Sequence, residues 1–165
     1  MQLEEGLDTG PILSVERMAV PADATLRSLR DSLVHVGAAQ LVRDLRDGLP
    51  APRPQVGEPV YAAKLSPQDH RLDWHRSAVE LDRVVRLGEA WTTVAGRRLK
   101  VLAARPVSAV ERPEALADGA VDGTLVGTGD GLLQLITVQP EGKSALPAAA
   151  WRNGARLGPT DRLGS

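Results

Sequence analysis

The chain has 165 residues and a formal net charge of −1, from 20 basic and 21 acidic side chains. That length suits one ordinary domain or two small ones, and the near-neutral total excludes a chain-wide electrostatic signature for nucleic acid. Cysteine is absent, so neither a disulfide framework nor a thiolate zinc site can form. Hydrophobic residues make up 42%, yet only Trp74, Trp91, Trp151 and Tyr61 are aromatic, so a core must be packed from Leu, Val and Ala. No apolar run approaches membrane-spanning length, and Met1 is not followed by a basic and then apolar signal segment. A soluble, cytoplasmic protein without a membrane partner is expected.

Three blocks follow one another along the chain. In the first, residues 1–48, the β-branched and apolar stretch 12–20 ends at Pro21 and reads as a strand with its exit. Asp23 is placed to cap a helix, with Leu26, Leu29, Leu33, Val36, Leu41 and Leu45 forming an apolar stripe and Gly48 ending it. A strand and one amphipathic helix cannot bury their own apolar faces. The second block, residues 49–74, carries Pro50, Pro52, Pro54 and Pro59, which exclude regular helix or central strand and predict a stiff, extended linker. Within it Ser66, Pro67 and Asp69 are set to start a short helical turn.

The third block, residues 75–165, opens with a short helix whose Ala78, Leu81 and Val85 share a face and which Gly88 stops. Leu99, Val101 and Ala103 alternate with Arg98, Lys100 and Leu102 after a Gly96 turn, predicting a hairpin with residues 91–94. A second hairpin is predicted from 123–126 and 132–138 around Thr128–Gly131, and Pro147 starts a brief helix ended by Gly154. Short strands with regular turn signals and small helices fit a compact β-barrel.

Charge is uneven along this block. Arg97, Arg98, Lys100 and Arg105 lie between Glu89 and Glu111, and Lys143, Arg152 and Arg156 between Glu141 and Asp161. A barrel that brings both runs to one face would present a phosphate-attracting surface; otherwise they are a solvated strand surface with acids nearby. The three histidines match no metal-ligand spacing: His35 lies mid-helix, and His70 and His75 flank Asp69 and Asp73 without a second ligand cluster. Gly127, Gly129 and Gly131 precede strand-like residues, which makes them a hairpin turn and not a phosphate cradle. Asp8, in a Gly-flanked D-T-G, reads by itself as a turn residue.

Three separated segments resemble the methionyl-tRNA formyltransferase family in the family's own order. They are GLDTGPIL (6–13), YAAKLSPQDHRLDW (61–74) with VVR (84–86), and LLQLITVQPEGKSALPAAAWRNGARLG (132–158) with its VQPEGK core. The resemblance implies an α/β remnant of a Rossmann-like formyltransferase domain, a linker, and a mainly β, OB-like barrel with short helices. It implies that Asp8 is the catalytic carboxylate that orients and polarises an essential histidine. It also implies that Arg97, Arg98, Lys100, Lys143, Arg152 and Arg156 contact tRNA, mostly at phosphates. The parent reaction transfers a formyl group from 10-formyltetrahydrofolate, a co-substrate, to the amino group of methionyl initiator tRNA, with no tightly bound cofactor and no metal.

The departures are as informative as the match. The family's SLLP-type segment and its Asn and His precede GLDTGPIL, and none is found in this sequence. Residues 87–90 read LGEA where the family has a Pro-Gly approach, and Pro147 and Trp151 replace a small polar residue and Phe. An N-terminally truncated formyltransferase, inactive by itself, is expected, with a separate chain as one source of the front half; the complete enzyme would be monomeric. Two alternatives stay open: a stand-alone RNA-binding barrel, and a remnant of a sugar-nucleotide formyltransferase.

Overall fold

A computed structural model describes residues 1–107, 116–158 and 161–164, in two units, Met1–Lys64 and Leu65–Ser165. The first unit is built on helix α1 (Leu26–Asp47). Thr25, not Asp23, is its cap: Thr25 Oγ1 accepts from Ser28 N at 3.1 Å, and Ser28 Oγ accepts from Thr25 N at 3.0 Å. Asp23 falls too early, because a capping side chain must sit directly before the first helical residue. None of the helix's residues is buried, and Leu33, Val34, Leu41, Val42 and Leu45 are all exposed.

The strand expected over residues 12–20 is not formed. This stretch pairs only at Ile12, whose N–H and C=O bond to Arg53 at 2.8 and 2.9 Å. An extended segment becomes a strand only where a neighbour supplies a ladder, and Pro52 and Pro54 on either side of Arg53 have no N–H to extend one. Side chains fasten the segment to α1 instead: Ser14 donates to Asp44, Gln40 donates to Ser14 at 2.7 Å, and Arg43 pairs with Glu16 at 2.7 Å.

The second unit opens with the short 3-10 turn Pro67–His70, where Ser66 N and Oγ both donate to Asp69 at 2.7 Å and hold its carboxyl below the usual range. Leu72 and Trp74, in the segment read as linker, are core residues of this unit. Helix α2 (Ala78–Leu87) follows, capped by a reciprocal box between Ser77 and Glu80 and stopped at Gly88, with Ala78, Leu81, Val84 and Val85 turned inward. Among the described residues six strands then form one antiparallel sheet: β1 (Trp91–Val94), β2 (Arg97–Val107), β3 (Val121–Asp122), β4 (Leu125–Gly127), β5 (Leu132–Pro140) and β6 (Leu146–Pro147). Their order is β1-β2-β5-β4-β3, with β6 also paired to β5. Helix α3 (Ala148–Gly154) starts directly after Pro147, which serves as its N-cap residue.

Both expected hairpins are present. In the first, Val94 faces Arg97 across the two-residue turn Ala95–Gly96, whose φ angles of 47° and 72° match the twist of the flanking strands. In the second, β4 pairs with β5 in the register Leu125–Gln134, while Gly123 and Thr124 belong to the β3–β4 turn and not to a strand. The sheet's central seam is β2 with β5, from Leu99 facing Pro140 to Val107 facing Leu132. Register shifts on either side of Ala103 leave Leu102 and Ile136 exposed.

Leu99, Val101, Val126, Leu133, Leu135 and Val138 fill the core from the strands. Trp74 enters it with its indole N–H satisfied by buried Thr92 Oγ1 at 3.0 Å. The chain's last described residues fasten the sheet's two ends, since Leu163 N donates to Gly119 O and Gly164 N to Thr93 O, at 2.9 and 2.8 Å. Gly129 allows another close approach: a Cβ there would lie 1.9 Å from His75 O.

Two measurements check this packing. Leu133 is fully buried, so Leu133→Ala is expected to cost about 2–5 kcal/mol in chemical denaturation, whereas Leu102→Ala, 41% exposed, stays within about 0.5 kcal/mol. Arg76 first, then Ser77, hold the Glu80 carboxyl down from 4.5 to about 2. A carboxylate with a depressed folded pKa stabilises above its unfolded value and loses that contribution as pH falls through the folded one. The stability gap between the parent chain and Glu80→Gln is therefore expected to close between pH 4.5 and about 2; a gap independent of pH contradicts this.

Candidate nucleic-acid interface

Strand alternation decides which basic side chains meet. Trp91 faces Lys100 across the first hairpin, and Arg98 lies two residues before Lys100 on the same strand, so all three share one face. The Arg98 guanidinium carbon stands 4.2 Å from the Trp91 ring centroid, and that of Arg71 stands 5.7 Å from it. The Trp91 indole N–H is anchored on Pro67 O at 2.9 Å. This stacking fixes a flexible arginine near the end of the hairpin.

The β1–β2 turn is tied to the β5–β6 connection by Glu141, through its backbone N–H and its carboxylate. Glu141 N donates to Arg98 O at 3.0 Å, and Arg98 N donates to Glu141 Oε2 at 3.3 Å. Gln139 holds the following loop by donating to Lys143 O at 2.9 Å. Arg97, Arg98 and Lys143 consequently line one cavity of about 300 Å³, and Arg98 and Lys100 line an adjoining one of about 190 Å³. Arg152 and Arg156 line neither. Arg152 is half-buried on α3 with its Nε unpartnered, and Arg156 is exposed beyond the helix with a φ of 48°.

Ion pairing separates these cations into two kinds. Lys100 is taken by Glu89 at 2.5 Å, a contact that lowers the Glu89 pKa, and Arg76 and Arg86 are each paired with an acid one helical turn away. Among the described residues Arg97, Arg98 and Lys143 have no acidic side chain within ion-pair distance. Glu141 lines the same opening with its carboxylate on the Arg98 backbone N–H, so three exposed cations meet one acid there, and the excess of positive charge attracts anions.

Asp8 stands elsewhere, in the first unit. It has a φ of 55°, and its backbone carbonyl accepts from Gln55 Nε2 at 2.8 Å. No histidine among the described residues is bonded to its carboxylate. The Nδ1 atoms of His35, His70 and His75 are instead engaged by Asp31 O, Gly88 O and Asp118 Oδ2, each at 2.8 Å. No group of three or more metal-ligating side chains occurs among the described residues.

Residues 64–156 match the family described as formyl transferase, C-terminal domain. The chain belongs to the formyl transferase C-terminal domain family. It is 41% identical over 170 residues to a methionyl-tRNA formyltransferase of Thermus thermophilus, an alignment that takes in 99% of this chain and 55% of that protein. A methionyl-tRNA formyltransferase of Roseiflexus sp. (strain RS-1) is 39% identical over 99% of this chain and 54% of its own length. The chain thus spans about half the length of these curated relatives. Among solved structures, HypX from Aquifex aeolicus superposes with a TM-score of 0.64 over 93% of this chain and 29% of its own, at 20% identity, which is a likeness of fold. A second HypX structure, in complex with tetrahydrofolic acid, gives a TM-score of 0.64 at 18% identity.

The formyl transferase C-terminal domain carries site features that charge alone did not point to. Trp91 supports Arg98, and Glu141 joins the two turns through its backbone N–H and its carboxylate. The hairpin register was the available signal for Trp91, because a two-residue turn at Ala95–Gly96 places it opposite Lys100. Glu141 stands in the VQPEGK core of the resemblance, but no local pattern gives its pairing with Arg98, 43 residues away. No helix among the described residues is long and apolar enough to cross a membrane.

Proposed function

We propose that this chain is the C-terminal portion of a methionyl-tRNA formyltransferase and that its second unit holds the tRNA for formyl transfer. The identity to two such enzymes over 99% of the chain carries the reading. The parent reaction moves the formyl group of 10-formyltetrahydrofolate to the amino group of methionyl initiator tRNA. The second unit is read as an OB-like barrel, which the fastening of both sheet ends by residues 162–164 supports. The first is read as the end of a Rossmann-like domain, supported by the uncovered apolar side chains of α1.

Arg97, Arg98 and Lys143 are the principal phosphate contacts in this reading, with Lys100, Arg152 and Arg156 at its margin. Asp8 is the family's catalytic carboxylate by position. Its task of orienting an imidazole has no histidine partner among the described residues, and the chain's single asparagine, Asn153, lies in the other unit. Formyl transfer by the chain alone is therefore not expected.

Binding of initiator tRNA to the full chain, measured over a range of potassium chloride concentrations, tests the reading. Affinity should fall as salt rises, because each neutralised phosphate releases condensed counterions. Replacing Arg97, Arg98 and Lys143 by Gln should flatten the log–log slope by about one for each lost contact. Salt-independent binding, or a triple variant with an unchanged slope, overturns it.

A further inference from the structure

The cavity of about 300 Å³ joins two chemistries that phosphate contact does not require together. Its mouth carries the exposed Arg97, Arg98 and Lys143, with the Glu141 carboxylate beside them accepting from the Arg98 backbone N–H. Its interior is apolar: Leu99 and Trp151 are buried, and Leu146 and Leu157 are half-buried. Phosphates of a duplex backbone would use the cations and leave the recess empty. A ligand matched to both parts has an anionic group joined directly to a flat, weakly polar ring.

We propose that this cavity receives one unstacked nucleotide of the bound RNA. The base enters against Leu99, Leu146, Trp151 and Leu157, and its phosphate lies at the mouth against Arg97, Arg98 and Lys143. Unpaired bases of RNA are commonly held this way, splayed out against aromatic or apolar side chains and arginine planes. The volume sits at the low end of small-molecule sites, roughly 300–1,000 Å³, which suits a single nucleotide. Arg98 lines the cavity with its backbone tied to Glu141, while its guanidinium stacks on Trp91 just outside the lining, so Arg97 and Lys143 are the nearer phosphate partners. The proposal rests on the RNA-binding reading above and adds to it a site that recognises a base.

The test uses the full chain with adenosine 5′-monophosphate and inorganic phosphate as probes, following the indole N–H resonances of Trp151, Trp91 and Trp74. The nucleotide should shift Trp151 saturably while inorganic phosphate at the same concentration does not. Ala155→Leu fills the cavity wall without altering any charge. It should abolish that shift and weaken tRNA binding about tenfold, as expected for one lost base contact, with the salt slope retained. Ala150→Leu, at an exposed position of α3 that also lines the cavity, should act alike and serves if Ala155→Leu fails to fold.

Equal shifts from nucleotide and phosphate, or cavity-filling variants that bind tRNA as the parent does, overturn the proposal. So does a shift of Trp151 by an acidic peptide but not by the nucleotide. If tRNA binding keeps its salt dependence while the nucleotide has no effect, the cavity proposal fails alone. If salt-dependent binding itself is absent, the functional reading fails with it.

Discussion

The pairing of β2 with β5 is the constraint on which the second unit depends. It runs from Leu99 facing Pro140 to Val107 facing Leu132 and supplies most of the buried strand residues. One end of this seam continues into the β1–β2 turn and the β5–β6 connection, which the exchange between Arg98 and Glu141 ties together. The candidate interface is built at that end. Residues far apart in sequence, Arg97 and Lys143, line one cavity because the seam brings their turns side by side.

Charge in this unit is divided between pairing and display. Arg86 is spent on an acid of its own helix, Arg76 on Glu80 from just ahead of that helix, and Lys100 on Glu89. Such exposed or half-exposed pairs contribute little to stability, but they remove those cations from the field that an anion meets. Arg97, Arg98 and Lys143 are not so neutralised, and Arg98 is steadied by an indole in place of a carboxylate. A cation held by stacking keeps its full charge for a phosphate. The near-neutral total of the chain therefore conceals a local positive site.

Much of this fold is legible in the sequence where the deciding signal is local. The Ser66–Asp69 turn, the helix stopped by Gly88 and the Ala95–Gly96 hairpin each need only neighbouring residues, and each is formed. Residues 12–20 have strand-like side chains, but a strand also needs a partner, and Arg53 between two prolines provides a single pair. The stripe on α1 predicts the helix correctly while leaving its covering unspecified, and Leu33, Leu41 and Leu45 stay exposed. The fastening of Gly119 and Thr93 by the chain's end is equally invisible to local reading, since it joins segments more than forty residues apart.

The candidate site divides in the same way. Runs of basic residues are plain in the sequence, but which of them form ion pairs is a tertiary property: Glu89, left-handed at φ 59° just after Gly88, hydrogen-bonds Lys100 and acts on Arg98 only at longer range. The role expected of Asp8 comes only from family resemblance, because a carboxylate in a Gly-flanked turn carries no chemistry until its partner is known. The chain's lysines provide a direct test, being Lys64 in the first unit, Lys100 paired with Glu89, and Lys143 at the cavity mouth. Amine-reactive footprinting of the full chain should show Lys143 protected by bound initiator tRNA while Lys64 reacts as in the free protein. Equal modification of Lys143 with and without tRNA, under conditions where tRNA is bound, would contradict the account.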